Sequence, residues 1–117
     1  MSTPAPVSLP LSAPIVADTP ITSGEIMSGK PVAGFLNSFE NSARGLSVGQ
    51  WVCEPGAWHF TAKEDEVCTI LSGRGRLVSD EGTTINFAAG DSFVIPRGFV
   101  GLWETIEAIR KIYVVVE

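Results

Sequence analysis

From Gly45 to Glu117 the chain alternates short apolar runs with residues that favour turns. The runs recur at a spacing of about ten residues, and each ends at Gly, Pro, Asp or Asn, as in all-β domains. This pattern predicts strands over 46–53, 57–62, 66–72, 74–79, 83–87, 92–95, 99–105 and 110–116. Short antiparallel strands separated by turns indicate a sandwich or a barrel, and the pattern alone does not distinguish the two.

Glycine and proline mark the predicted turns. Asp80-Glu81-Gly82 and Pro96-Arg97-Gly98 are predicted hairpin turns, because Gly adopts positive φ without strain and Pro presets φ. Gly73-Arg74-Gly75 is predicted to be a tight hairpin between two strands. Segment 104–111 has a helix-like pattern that is also compatible with a strand, a kink and a second strand.

Residues 1–22 differ from the rest of the chain. They hold five of the eight prolines and only one charged residue, Asp18, which predicts an extended or polyproline-like arm. A disordered tail is the alternative, but a solvated leader would not carry so many apolar residues: Val7, Leu9, Leu11, Ile15, Val16 and Ile21. We expect the arm to pack on its own barrel or on a partner subunit, and 23–117 to form one domain.

Composition and charge exclude several classes of protein. With 117 residues, 44% of them apolar and 18% charged, the chain is expected to fold as one globular domain. Its net charge of −5 and the absence of a basic stripe argue against nucleic-acid binding. No apolar run is long enough to span a membrane, and no signal peptide is recognisable. We therefore expect a cytoplasmic protein in which Cys53 and Cys68 are free thiols.

Two stretches resemble the paired motifs of cupins. Residues 90–98 fit G-x5-P-x-G, and residues 66–73 fit E-x6-G. The segment 51–113 is similar to small one-domain cupins related to (S)-ureidoglycine aminohydrolase, through Trp51-x-Cys53-x-Pro55-Gly56-x-Trp58, Glu64-Asp65-Glu66, Ile70-Leu71-x-Gly73 and Arg110-Lys111-x-Tyr113. The resemblance implies an all-β, RmlC-like double-stranded β-helix, that is, a cupin jelly-roll barrel, with an extended N-terminal arm.

The resemblance also implies a metal site, but the chain departs from its pattern. Catalytic cupins present three histidines and one carboxylate to a metal ion. The histidine positions hold Phe60 and Ala62, or His59 and Thr61 with the longer motif spacing, and Gly101. His59 is expected on the outer surface, because strand alternation puts it opposite Trp58 and Phe60. We therefore expect no metal cofactor, with weakly bound Mn or Zn as the alternative.

Glu66 is the carboxylate that remains at its motif position. Counting by twos, it shares a face with Cys68 and Ile70, which we expect to point inward. A carboxylate in an apolar cavity requires a donor, a cation or a proton. Glu66 is thus either a functional group, as a general base or a ligand anchor, or a structural carboxylate held by an Arg or by backbone amides.

Other inward residues complete a candidate pocket. Aromatic side chains are expected to fill much of the barrel: Trp51, Trp58, Phe60, Phe87, Phe93, Phe99, Trp103 and Tyr113. Gly101 beside Trp103 either opens a slot for a planar ligand or belongs to a filled core. Lys111 is expected to pair with Glu66 or Glu104, to be solvated, or to touch a ligand. Cys68 is either a nucleophile or an inert buried thiol, and we expect the inert thiol, since no cationic neighbour that would lower its pKa is visible in the sequence.

Three functions are compatible with these observations. The first is a metal-free cupin that binds a small molecule through Glu66, Trp58, Phe60, Cys68, Trp103 and Lys111. The second is a metal-dependent enzyme resembling ureidoglycine aminohydrolase and acting on C–N bonds of ureides, with Glu66 as the best catalytic candidate. The third is a non-catalytic interaction module. A homodimer is expected under all three.

Overall fold

Nine antiparallel strands curl into a jelly-roll barrel in the computed structural model, which describes residues 3–117. They are β1 (Thr19–Pro20), β2 (Glu25–Gly29), β3 (Val32–Asn41), β4 (Leu46–Cys53), β5 (Gly56–Thr61), β6 (Asp65–Ser79), β7 (Thr84–Ala88), β8 (Ser92–Ile95) and β9 (Val100–Val116). One 3-10 turn, Ser42–Arg44, joins β3 to β4. In this part of the chain no helix has the length and apolar character needed to cross a membrane.

The two longest strands, β6 and β9, organise the sheet. They pair with each other from Asp65 to Ser79. The first part of β9 also pairs with β5, and its second part pairs with β4. One wall of the barrel is therefore built on the second part of β9, with β8, β4, β3 and β1, and the other on its first part, with β7, β5 and β2. The core lies between these walls.

Two pairs of predicted strands are continuous in the structure. The predicted strands 66–72 and 74–79 both belong to β6, and 99–105 and 110–116 belong to β9 apart from Phe99. The hairpin expected at Gly73-Arg74-Gly75 is therefore wrong, and the helix-like segment 104–111 is part of a strand. Turn residues inside a long strand mark bulges here, and a local pattern does not separate a bulge from a hairpin.

The bulges bend the sheet where the barrel wall turns. The register of β6 against β9 shifts three times between Ile70 and Gly75. At the centre of this region Gly73 has a φ of 82°, a conformation that favours glycine. A Cβ at this position would also collide with the carbonyl oxygen of Ala108 on β9. Glycine is thus required at the bend, which lets the same two strands contribute to both walls.

The sequence pattern missed the strands that precede Gly45. All five residues of β2 are exposed, and β3 has one fully buried residue, Ala33, so neither strand shows a clear apolar face. Their sheet pairing comes from backbone hydrogen bonds to β5 and β4. Clear alternation requires one face packed on the core and the other in solvent, and β2 has no buried face.

The N-terminal arm packs against its own barrel. Residues 3–18 form no strand or helix, and Thr19–Pro20 pairs with β3. The Arg110 guanidinium donates a 2.8 Å hydrogen bond to the Ala13 carbonyl and a 3.3 Å bond to that of Pro10. The Gln50 amide, fully buried under the arm, also donates to the Pro10 carbonyl, at 3.1 Å. This is the first of the two packing arrangements that the sequence left open.

Inward side chains of both walls form one apolar core. It contains Ala33, Cys53, Trp58, Cys68, Ile70, Leu77, Phe87, Ile95, Trp103 and Ile109. Burial of each large side chain contributes about 1.5–3 kcal/mol to folding. The alternation that predicted Trp58 and Cys68 as inward is confirmed, because both are buried.

Candidate functional site

A cavity of about 470 Å³ opens between the walls of the barrel. Six aromatic side chains line it: Phe35, Trp51, Trp58, Phe60, Trp103 and Tyr113. Phe35 remains exposed, and so does Lys63, which places both at the mouth. The polar groups deeper in the cavity are Glu66 and Lys111. A concave, largely apolar space with a few convergent polar groups is the usual form of a small-molecule site.

Glu66 and Lys111 form an ion pair in the cavity. Lys111 Nζ donates a 2.6 Å hydrogen bond to Glu66 Oε2. The Lys111 side chain is 7% exposed and the Glu66 side chain 24%. Burial lowers the pKa of Lys111, but the charge of Glu66 and the hydrogen bonds to Glu66 and Cys68 outweigh burial and raise the pKa above its usual value. The lysine is therefore a cation at neutral pH.

Two tryptophan rings enclose the ammonium group of Lys111. Its Nζ lies 4.6 Å from the ring centroids of both Trp51 and Trp103, within the range of a cation–π interaction. The two rings are nearly perpendicular, at 89° and 5.5 Å between centroids. Register explains the arrangement, because Trp51 on β4 pairs directly with Lys111 on β9.

Trp103 is the centre of the aromatic wall. Trp58 stacks on it with 6.2 Å between centroids and 28° between planes. The indole N–H of Trp103 donates a 2.9 Å hydrogen bond to Thr105 Oγ1, and both residues are buried. A satisfied donor of this kind fixes the orientation of the ring. All three tryptophans of the chain, including Trp51, thus line one cavity.

Cys68 lies beneath the ion pair and does not line the cavity. Its side chain is completely buried, and Sγ donates to Glu66 Oε2 at 3.2 Å. Lys111 lies 3.5 Å from the sulfur, so the structure supplies the cationic neighbour that the sequence did not reveal. Burial nevertheless dominates and raises the pKa of Cys68 to about 12. The group is a neutral thiol that orders the ion pair.

The structure brings five of the six predicted ligand-binding residues to the cavity. They are Trp58, Phe60, Glu66, Trp103 and Lys111. Of the partners considered for Lys111, Glu66 is the one found. Glu104 instead accepts a 2.6 Å hydrogen bond from Arg76. The partner of Glu66 is a lysine rather than the arginine or backbone amides considered for a structural carboxylate.

The histidine positions of the cupin motif do not fit a metal ion. His59 points away from the cavity, and its Nε2 lies 2.8 Å from Asp80 Oδ1 on the surface. Phe60 takes the inward position on the same strand. Within residues 3–117 no three His, Cys, Asp or Glu side chains converge as a ligand set. The only carboxylate at a motif position, Glu66, is already bonded to a lysine.

At the third histidine position, Gly101, the structure leaves no room for a side chain. A Cβ built there would lie 2.7 Å from Phe99 Cζ and would collide with the carbonyl oxygen of Val78. The planar slot considered beside Trp103 is therefore absent at this position, because the Phe99 ring fills it. Neither Gly101 nor Phe99 lines the cavity.

The sequence identified Trp51 and Tyr113 as aromatic residues of the barrel interior but not as ligand-binding residues, and it did not point to Asn37. Tyr113 donates a 2.7 Å hydrogen bond from its hydroxyl to Asn37 Oδ1. Gly49 provides the space for this bond, since a Cβ there would lie 2.5 Å from the Tyr113 hydroxyl oxygen. Alternation from Cys53 marks Trp51 as inward, but its contact with Lys111 depends on the pairing of β4 with β9. Asn37 carried no signal, because β3 was not predicted.

The family model of the EutQ-like cupin domain matches residues 41–113 of this chain. No curated protein matches the chain. The match to the family model supports the expectation from the sequence that the chain is a cupin. The narrower resemblance to (S)-ureidoglycine aminohydrolases is not supported by the matches.

Solved structures show the same fold. A protein of unknown function of the DUF861 family from Pseudomonas syringae pv. tomato matches with a TM-score of 0.82 and 25% identity, over 92% of this chain and 46% of that one. The chain thus spans less than half the length of that protein. The EutQ protein of Clostridium difficile matches with a TM-score of 0.65 and 23% identity, over 74% of this chain and 68% of that chain. A DUF861 family protein from Thermotoga maritima matches with a TM-score of 0.53 and 26% identity, over 55% of this chain and 73% of that chain.

Proposed function

The chain belongs to the EutQ-like cupin domain family, and we propose that it binds a small polar organic molecule, without a metal ion, in the cavity above Glu66. The observation that carries the proposal is the Glu66–Lys111 ion pair at the base of an aromatic cavity. The cavity volume of about 470 Å³ suits a small ligand.

Glu66 supports this proposal because only one of its two carboxylate oxygens accepts hydrogen bonds from the protein. Both of its hydrogen bonds, from Lys111 and from Cys68, go to Oε2. Among the described residues, none donates a hydrogen bond to Oε1. A carboxylate oxygen that lines a cavity and keeps its acceptor capacity is suited to a donor group on a ligand.

Binding is favoured over catalysis by the state of the neighbouring groups. Burial raises the pKa of the Cys68 thiol to about 12, so its thiolate is rare at neutral pH. Lys111 is held as a cation by Glu66 and is not a nucleophile in that form. Phe60, Ala62 and Gly101 supply no side-chain metal ligand, which disfavours metal-dependent hydrolysis.

The proposal is tested by a thermal-shift screen of small polar molecules in buffer that contains a chelator. A ligand of the cavity is expected to raise the melting temperature of the wild-type protein and to lose that effect in Glu66→Gln. The matched control is Glu107→Gln, which removes a surface carboxylate paired with Arg74 and leaves the cavity intact. Elemental analysis accompanies the screen. Stoichiometric Mn, Zn or Ni, or a melting shift that requires one of these metals, would contradict the proposal.

A further inference from the structure

The base of the cavity carries one charge of each sign. Glu66 contributes a carboxylate and Lys111 an ammonium group, and the two atoms that face each other are 2.6 Å apart. The formal charge of the pair is zero. A ligand with a net charge therefore meets one attractive and one repulsive group at short range, in a partly buried site where charges are weakly screened.

A cationic ligand is disfavoured by the position of Lys111. The faces of Trp51 and Trp103, which would otherwise attract an ammonium group, are already occupied by Nζ at 4.6 Å. A second cation that approached Glu66 would also approach Lys111. Lys111 already occupies both tryptophan faces and one oxygen of the Glu66 carboxylate, which are the groups that an amine would use.

An anionic ligand is disfavoured by the carboxylates of the same cavity. Glu64 and Glu66 both line it. Burial, followed by repulsion from Glu117 and Glu66, raises the pKa of Glu64, which indicates that negative charge is already unfavourable there. Lys111 is engaged by Glu66, and the exposed Lys63 at the mouth is screened by water.

We propose that the cavity selects a neutral, planar ligand that presents an N–H donor beside a carbonyl oxygen, the edge of an amide. The inference rests on the proposed function and names the class of ligand. The N–H group of the ligand bonds to Glu66 Oε1. Its carbonyl oxygen accepts from Lys111 Nζ, whose three protons are directed to Glu66, to Cys68 at 3.5 Å and to the ligand. The flat part of the ligand packs on Trp58 and Phe60, which line the cavity and are not the rings that hold Lys111 Nζ.

Three probes with the same ring and different charge test the inference: benzamide, benzylamine in its ammonium form, and benzoate. Tryptophan fluorescence is the readout, since all three tryptophans line the cavity. We expect benzamide to bind at least about tenfold more tightly than either charged probe, the scale of one hydrogen bond to a charged group. A charged probe that binds the wild-type protein as well as benzamide would overturn the inference and leave the proposed function in place.

Variants of the Glu66–Lys111 ion pair are expected to shift the preference among the three probes in opposite directions, one toward the cation and the other toward the anion. Lys111→Met removes the competing cation and frees Glu66 Oε2, so benzylamine should gain at least about tenfold relative to benzamide. Glu66→Gln leaves the ammonium unbalanced, so benzoate should gain. Glu107→Gln should keep the wild-type order. An unchanged order in both cavity variants contradicts the inference.

The double variant Glu66→Gln/Lys111→Met keeps the test decisive if a single variant unfolds. Replacement of both partners removes the ion pair without leaving a buried charge. Benzamide should then lose at least about tenfold in affinity, while the charged probes gain relative to it. Unchanged benzamide affinity would overturn the inference. If no probe binds the wild-type protein, the proposed function itself fails for flat polar ligands, and this inference fails with it.

Discussion

Lys111 is more deeply buried than the carboxylate that neutralises it. Nζ of Lys111 and Oε2 of Glu66 are 2.6 Å apart, but the lysine side chain is 7% exposed and that of Glu66 is 24%. Water reaches Glu66 through the cavity, whereas Lys111 lies between two tryptophan rings. Loss of the partner's charge should therefore destabilise the protein more when Lys111 is left unpaired than when Glu66 is.

Removal of the carboxylate is expected to cost more stability than removal of the ammonium. Glu66→Gln leaves a buried cation without a counter-charge and should lower the free energy of unfolding by about 3 kcal/mol. Lys111→Met should cost less, because the remaining carboxylate is hydrated and Met fills the space between the rings. Urea unfolding of both variants and of the double variant gives the comparison. A larger loss for Lys111→Met than for Glu66→Gln would contradict this account of burial.

The hydrogen bond between Trp103 and Thr105 allows a matched test of a buried donor. Thr105→Val keeps the shape of the side chain but removes the acceptor of the indole N–H, and should lower the free energy of unfolding by about 1–3 kcal/mol. Thr105→Ser keeps the hydroxyl and is the control. Equal stability of the Val variant and the wild-type protein would show that the indole N–H does not depend on Thr105.

The N-terminal arm is expected to contribute to stability through its contacts with Gln50 and Arg110. Deletion of residues 1–20 removes the carbonyls of Pro10 and Ala13 and uncovers the buried Gln50 amide. The melting temperature should therefore fall. Deletion of residues 1–8 is the control, because residues 3–8 are exposed and precede the first of these hydrogen bonds.

The same deletions test the expected homodimer, which stays a prediction. If the arm supports association, loss of residues 1–20 should shift the elution volume toward a monomer, whereas loss of residues 1–8 should not. An unchanged melting temperature and elution volume after the longer deletion would count against both roles of the arm. The expected cytoplasmic location also stays a prediction.

Because Cys53 and Cys68 are buried, we expect the protein to lose stability at alkaline pH. Burial raises the pKa of Cys53 to about 11 and that of Cys68 to about 12, both from 9.0. Above pH 9 the unfolded chain releases these protons while the folded chain retains them. The stability that the thiols contribute is therefore complete below pH 9 and is lost as the pH rises toward 12.

Urea unfolding at pH 8, 9 and 10 measures this loss. The variant Cys53→Ala/Cys68→Ala should be less stable at pH 8 because of the cavities it creates, but its stability should fall less steeply with pH. Both thiols of the folded wild-type protein should also react slowly with thiol reagents at pH 8. Rapid reaction with the folded protein would show that burial does not protect them.

Much of the fold and part of the site were visible in the sequence because they depend on local periodicity. Side chains alternate along a strand, so Trp58 and Phe60 could be assigned to one face and His59 to the other. The same rule assigned Glu66 and Cys68 to one face of β6. The G-x5-P-x-G and E-x6-G motifs then distinguished a cupin barrel from a sandwich. None of these inferences requires knowledge of which strands are neighbours.

Contacts across the sheet were decided by tertiary structure. Glu66 and Lys111 are 45 positions apart, and their meeting depends on the register of β6 and β9, in which Glu66 lies opposite Val115 and Lys111 opposite Ile70. The contact of Trp51 with Lys111 likewise depends on the pairing of β4 with β9. The sequence by itself determined which side chains face the interior, because that follows from the two-residue period of a strand. Only the tertiary structure decided which of them touch, because register is a property of the whole sheet.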